Sequence, residues 1–136
     1  MESDGKGESM SEEAPKNMEE FQSRIVHDVR PWGLFRRFPH QGVSSIKIIA
    51  VNPGGVLSLQ YHHGRDEFWL VLDEGLEMTV GDRIWRPAPG EEVWIPKGTR
   101  HRARGVGDRP ARVLELWIGD SEESDIVRIE DVYQRG

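Results

Sequence analysis

An all-β fold, a sandwich or barrel closed by tight turns, is the class this sequence predicts, and three observations predict it. Short segments rich in Val, Ile, Leu, Phe and Trp recur along the chain, each of strand length. Gly, Pro or Asp cuts them at frequent intervals. No stretch beyond the first twenty residues sustains a helical period. At 136 residues the chain amounts to one domain, and its fifteen Gly and eight Pro serve turns rather than a linker.

The elements follow in order. Residues 1–20 are polar, acidic and too poor in apolar groups to offset the entropy of ordering. A disordered tail is expected there, with at most a turn of helix in "SEEAPKNMEEFQ", and a single domain over 21–136. Its expected strands are "IVHDV", "GLFRRF", "SSIKIIAV", "VLSLQYHH", "EFWLVL", "LEMTV", "RIWRPA", "EEVWIP", "RHRARGV" and "RVLELWIG". The turns between them include "NPGG", "HGRD", "VGDR", "APGE", "PKGT" and "VGDRP".

Composition narrows the function. With 24 Asp and Glu against 18 Lys and Arg, the formal charge is -6, which argues against a phosphate-backbone partner, so no nucleic acid is expected. The absence of Cys excludes disulfides and thiolate chemistry, and leaves His, carboxylate or amide oxygen to hold any metal. No apolar run has the length of a membrane span or signal segment, so a cytoplasmic protein with no membrane partner is expected.

One segment does not suit a plain β core. "LSLQYHHGRDEFW", Leu57 to Trp69, sets a Gln, two His and a Glu in an apolar run. Strand alternation puts Ser58, Gln60 and His62 on one face and Leu57, Leu59, Tyr61 and His63 on the other. The turn "HGRD" then returns the chain so that Glu67 begins the next strand near them. Farther on, "GEEVWIPKGTRHRARG" spaces Gly90, Pro96, Gly98 and His101 so that a tight turn presents a His at a strand start.

That second spacing resembles the second cupin motif, whose final Asn is Gly105 here. Gly54 or Gly55, His62, Glu67 and Gly75 resemble the first. The two motifs imply a cupin jelly roll, a double-stranded β-helix barrel with a metal inside. A narrower resemblance rests on "RPWG" (Arg30 to Gly33), "VNPGGVLSLQYHHGRDEFW", "WIPKGTRHR" and "DIVRIEDVYQR" (Asp125 to Arg135). These strings, in this order, resemble the cupin domain of type II phosphomannose isomerases. That domain more often forms the C-terminal part of an enzyme with a mannose-1-phosphate guanylyltransferase half. No nucleotide loop of that half occurs in the sequence, and guanylyltransferase activity is not expected of it.

The resemblance implies a divalent metal, Zn, Mn or Co, held in one of two registers. One uses Gln60 and His62 with Glu67 and His101; the other uses Tyr61 and His63. Type I phosphomannose isomerases carry a similar string whose Gln and His bind zinc, and that carry-over falls on Gln60 and His62. A neutral amide oxygen also suits these metals better than a phenol. The set Gln60, His62, Glu67 and His101 is therefore expected. Against it, Leu57 and Leu59 should face the interior, which would turn His63 inward.

The implied activity is interconversion of mannose 6-phosphate and fructose 6-phosphate, with a base moving a proton between C2 and C1. His63 and Glu115 are the candidates for that base. Phosphate contacts are expected from Arg30, Arg65, Lys97, Arg100 and Arg102. Trp69, Trp85, Trp94 and Trp117 are expected in the core or at a subunit contact. Two departures bear on turnover: the family's third His is Gly64, and the His of its Glu-His-Trp string is Phe68. They keep a non-catalytic sugar or sugar-phosphate-binding cupin as the alternative, with a metal-dependent oxygenase third. A homodimer is expected, pairing through the apolar segment Ile25 to Phe38.

Overall fold

The computed structural model describes residues 13–122 and 124–131. Among them are one short helix, α1 (Met18–Ser23), and eleven strands: β1 (Val26–Arg30), β2 (Gly33–Arg37), β3 (Val43–Val51), β4 (Leu59–Tyr61), β5 (Asp66–Val71), β6 (Leu76–Val80), β7 (Arg83–Trp85), β8 (Glu92–Ile95), β9 (His101–Gly105), β10 (Ala111–Ile118) and β11 (Val127–Glu130). Each of the ten expected strands is present, and β11 is an addition. Four strands in the order β3-β10-β5-β8 form one sheet, and five in the order β11-β4-β9-β6-β7 form the other. The β1–β2 hairpin pairs with neither. No helix among the described residues is long and apolar enough to cross a membrane.

The helix begins inside the stretch expected as a tail. Asn17 caps it, its side chain accepting the Glu20 N–H at 2.8 Å. Phe21 then enters a cluster of rings, 4.4 Å between centroids from Phe68, with Phe38 and Trp94 beside it. This buried anchor, one residue past the expected boundary, is what orders the turn before it. The expected tail over residues 1–12 and the end of the "DIVRIEDVYQR" string over 132–136 lie outside the described residues.

Two hydrophobic cores result from strand alternation. Trp69 and Val71 of β5 and Val113 of β10 pack into the barrel with Leu76, Met78, Val93, Ile95 and Ala103. Phe68, Leu70, Leu114, Leu116 and Ile118, the alternate residues of the same strands, pack outward against Phe21, Ile25 and Phe38. Both faces of β5 and β10 are thereby covered. The inward positions left over at one end of the barrel are polar, and they make the site.

Register aligns these positions in two rows. Across the four-stranded sheet, Lys47 faces Glu115, Glu115 faces Trp69, and Trp69 faces Val93. Across the five-stranded sheet, Arg128 faces Gln60, Gln60 faces His101, and His101 faces Val80. The parity conflict at Leu57 resolves here. Leu57 and Ser58 lie between an isolated bridge at Val56 and the start of β4, outside any strand. Leu57 packs on the barrel core and Ser58 is buried, so alternation breaks before β4 and Gln60 and His62 turn inward as well.

Gly105 stands where the cupin motif has Asn, for a steric reason. A Cβ there would lie 2.2 Å from the Asn52 carbonyl oxygen. The same close approach lets Gly54 donate to the Gly105 carbonyl at 2.9 Å and Gly105 to that of Gly55 at 2.9 Å.

Candidate metal centre

Three buried side chains from three parts of the chain meet at the polar end of the barrel. His62 follows β4, Glu67 is on β5 and His101 starts β9, and one ligand atom from each lies within 4.8 Å of the others. His62 Nε2 is 3.1 Å from Glu67 Oε2, and His101 Nε2 is 3.6 Å from Glu67 Oε1.

Backbone carbonyls orient both imidazoles. His62 Nδ1 donates to the Asp125 carbonyl at 2.6 Å, and His101 Nδ1 donates to that of Thr99 at 3.0 Å. With Nδ1 committed to a carbonyl, each ring turns Nε2 toward Glu67 and leaves that nitrogen for a metal. His101 Nε2 is buried and has no hydrogen-bond partner. Burial holds the His101 pKa below the ordinary histidine value, against the opposing charge of Glu67. Burial alone would raise the Glu67 carboxyl, but His62, His101 and Arg65 hold it well below the usual carboxylate range. Two imidazole nitrogens and a carboxylate converging in a buried site fit a divalent cation of the zinc, manganese or cobalt type.

Around this trio the two central strands form a checkerboard. Glu67 lies opposite Trp117, and Trp69 opposite Glu115. Each indole donates to the Glu two residues before it, Trp69 to Glu67 Oε1 at 2.8 Å and Trp117 to Glu115 Oε1 at 2.8 Å. Arg65 lies over the Trp117 ring at 3.5 Å and donates to Glu67 Oε2 at 2.9 Å, with its Nη2 3.1 Å from His62 Nε2. Lys47 Nζ is 3.6 Å from Glu115 Oε1 and 4.6 Å from the centre of the Trp117 ring. Burial, and then the Glu67 carboxylate beside it, push Glu115 up to about 8, against the opposing effects of Trp117 and Lys47.

A cavity of about 170 Å³ opens beside the trio; Gln60, Arg65, Trp69, His101, Glu115 and Trp117 are among its lining residues. Gln60 presents its amide there, the oxygen accepting from the Ser58 hydroxyl at 2.5 Å. Arg102 also lines it, bonded to the Leu57 carbonyl at 3.0 Å and to Glu130 at 2.7 Å.

Other expected site residues are placed elsewhere. His63 is exposed on the outer side of its turn, its ring edge-on to Tyr61 at 5.3 Å, because the alternation that turns His62 inward turns His63 out. Arg30 is on the separate hairpin, paired with Asp28 at 2.9 Å. Lys97 and Arg100 are exposed in the Pro96–Gly98 turn and after it, outside the cavity lining. Gly64 lies in an exposed turn, and Phe68 faces the ring cluster on the side of β5 opposite Glu67. A His at position 68 would therefore point away from the centre.

Several contributors were not singled out in the sequence. Trp69 and Trp117, expected only as core or contact residues, hold the two carboxyls. Lys47 enters from β3. Asp125 clamps the turn after β4, accepting the His63 and Gly64 N–H groups at 2.9 and 2.8 Å. The repeated Glu-x-Trp of "EFW" and "ELW" was the one available signal.

A family model described as "Mannose-6-phosphate isomerase C-terminal" matches residues 16–131. The chain is similar to the xanthan biosynthesis protein XanB of Xanthomonas campestris, 38% identical over 107 residues, which are 78% of this chain and 23% of that protein. It is also similar to the mannose-1-phosphate guanylyltransferase ManC of Salmonella typhimurium, 35% identical over 107 residues, 78% of this chain and 22% of that one. The chain thus spans less than a quarter of the length of these relatives. Among solved structures, a double-stranded β-helix protein from Klebsiella pneumoniae superposes with a TM-score of 0.58 at 16% identity, over 66% of this chain and 77% of that one. A Cupin 2 conserved barrel protein from Salinispora arenicola gives 0.50 at 22% identity, over 56% and 62%. At such identities the likeness bears on fold alone, and the fold is the cupin barrel.

Proposed function

Because the chain belongs to the family of mannose-6-phosphate isomerase C-terminal domains, we propose that it interconverts mannose 6-phosphate and fructose 6-phosphate in the cavity beside His62, Glu67 and His101. The observation that carries this reading is the adjacency of that trio to Glu115, a buried carboxyl that lines the same cavity. His62, Glu67 and His101, with Gln60 at the cavity wall, would hold the divalent cation, which supplies the Lewis acidity that makes a proton beside a carbonyl removable.

The chain's own residues do the rest. Glu115 is the group that carries the proton between C2 and C1, since it is the buried carboxyl on the cavity wall outside the trio and a carboxyl can both take and return a proton. Trp117 and Lys47 fix its position. Trp69 and Arg65 orient Glu67 by donating to its two oxygens. His63, the other candidate, lies on the wrong side of the turn to reach the cavity.

The test is conversion of mannose 6-phosphate followed by NMR in heavy water with the metal-loaded protein. The proposal expects fructose 6-phosphate carrying deuterium at C1 from any exchange at the base, and none of either with Glu115→Gln. Binding of the sugar phosphate without product would favour a non-catalytic sugar-phosphate-binding cupin.

A further inference from the structure

We propose that Arg65 is a resident cation of the metal centre, its guanidinium holding His62 and Glu67 by atoms that a metal ion would also take, so that a divalent cation has to displace it to bind. The inference rests on the reading of this trio as a metal site, not on the sugar reaction, and names the group that sets the affinity of that site.

The three ligands are not equally available. His101 Nε2 is buried and has no hydrogen-bond partner among the described residues. By contrast, His62 Nε2 lies 3.1 Å from Arg65 Nη2, and Glu67 Oε2 accepts from Arg65 Nε at 2.9 Å. Nε and Nη2 make one edge of the guanidinium fork, and that edge spans the two ligands. The second Glu67 oxygen is engaged as well, by the Trp69 indole at 2.8 Å. On His62, Nδ1 is turned to the Asp125 carbonyl, which leaves Nε2 as the nitrogen for a metal. A guanidinium has donors only, so it and a metal claim the same acceptors.

Burial gives the competition its weight. Arg65, His62 and Glu67 are all buried, so a Glu67 carboxylate deprived of its cation would be left without solvent to replace it. The site therefore favours a positive partner there, guanidinium or metal. Arg65 can also withdraw its ligand-facing edge without leaving its place. Its Nη1 donates to the Ser121 hydroxyl at 3.2 Å and to the Glu122 carbonyl at 3.3 Å, and its guanidinium carbon lies 3.5 Å from the centre of the Trp117 ring. None of these three contacts involves a ligand. They hold the fork beside the centre while the bonds to His62 and Glu67 are exchanged for bonds to a metal.

The test is the zinc affinity of the full chain, measured by competition with a chromophoric chelator, together with NMR of the isotope-labelled parent. Arg65→Met should bind zinc at least about tenfold more tightly than the parent, because zinc then supplies the charge that the buried carboxylate has lost. Arg65→Lys keeps the charge but not the paired edge, so it should also bind more tightly, by about threefold or more. In the parent, the Arg65 Nε–H resonance, identified by its loss in Arg65→Lys, should shed its protection from solvent exchange as zinc is added. That last reading decides the matter if Arg65→Met fails to fold. Parent affinity in Arg65→Lys would mean charge repulsion alone, and weaker binding by Arg65→Met would make Arg65 a support for the ligands; either result, or an Nε–H that zinc leaves protected, would overturn the proposal. Zinc held alike by parent and variants would remove the competition and leave the metal centre standing, whereas zinc held by none of them would remove both.

Discussion

Glu115→Gln preserves the shape of the side chain and an oxygen for the Trp117 indole while removing the group that exchanges a proton. Turnover should fall by about a hundredfold or more, with metal content unchanged by elemental analysis; loss of metal together with activity would assign Glu115 to the ligand set instead. A second residue-scale prediction concerns Phe68. Restoring the family's His there buries a polar ring among Phe21, Phe38 and Trp94, so Phe68→His should cost about 2 kcal/mol of stability by denaturant titration and raise turnover not at all. An activity gain would show that position 68 reaches the site. At this scale the sequence was legible where a ligand's spacing carried it: His62, Glu67 and His101 could be named from two motifs. Glu115 was named too, but its partners were not: Lys47 and Trp69 meet it through a strand register that spacing along the chain does not encode, and Trp117 meets it through the Glu-x-Trp spacing.

Among the elements, the turn after β4 decides which His enters the barrel. Asp125 holds it through the His63 and Gly64 N–H groups, and its own carbonyl orients His62. Asp125→Asn puts an amide NH2 where one acceptor is needed, so metal affinity should drop about tenfold in a competition titration, and unchanged affinity would make the clamp irrelevant to the ligand. The same carboxyl is held at about 2 by the His63 N–H first, with Ser121 and Gly64 adding to it. Its pKa is depressed on folding, so its stabilisation is complete above the ordinary 3.8 and is lost as pH falls through about 2. Acid unfolding of the parent across that window should be steeper than that of Asp125→Asn. One element escaped the sequence reading for a physical reason: strand β11, "VRIE", is short, charged and mostly exposed, and among the described residues it pairs with β4. Helix α1 falls where a turn of helix was expected; it is too short to show a period, and a buried Phe anchors it.

For the molecule as a whole, the all-β class and its turns were readable because alternation and Gly-Pro punctuation are local signals, and the cupin resemblance supplied the closure of the barrel. Apolar surface is left outside that barrel. The β1–β2 hairpin, unpaired with either sheet, exposes Val29 at 78% and Trp32 at 74%, and edge strand β3 exposes Ile46 at 64% and Ile48 at 58%. We expect a homodimer, with light scattering at micromolar concentration giving twice the chain mass and Ile48→Glu shifting it to one; a monomeric parent would contradict this. The central claim is a metal-dependent isomerase, and its most direct measurement is conversion of mannose 6-phosphate to fructose 6-phosphate by the purified chain after its metal is stripped and zinc, manganese or cobalt is restored. The proposal predicts turnover that disappears on stripping, returns with at least one of these ions, and does not return in His101→Ala. Conversion that survives complete metal removal, or none with any ion bound, would contradict it.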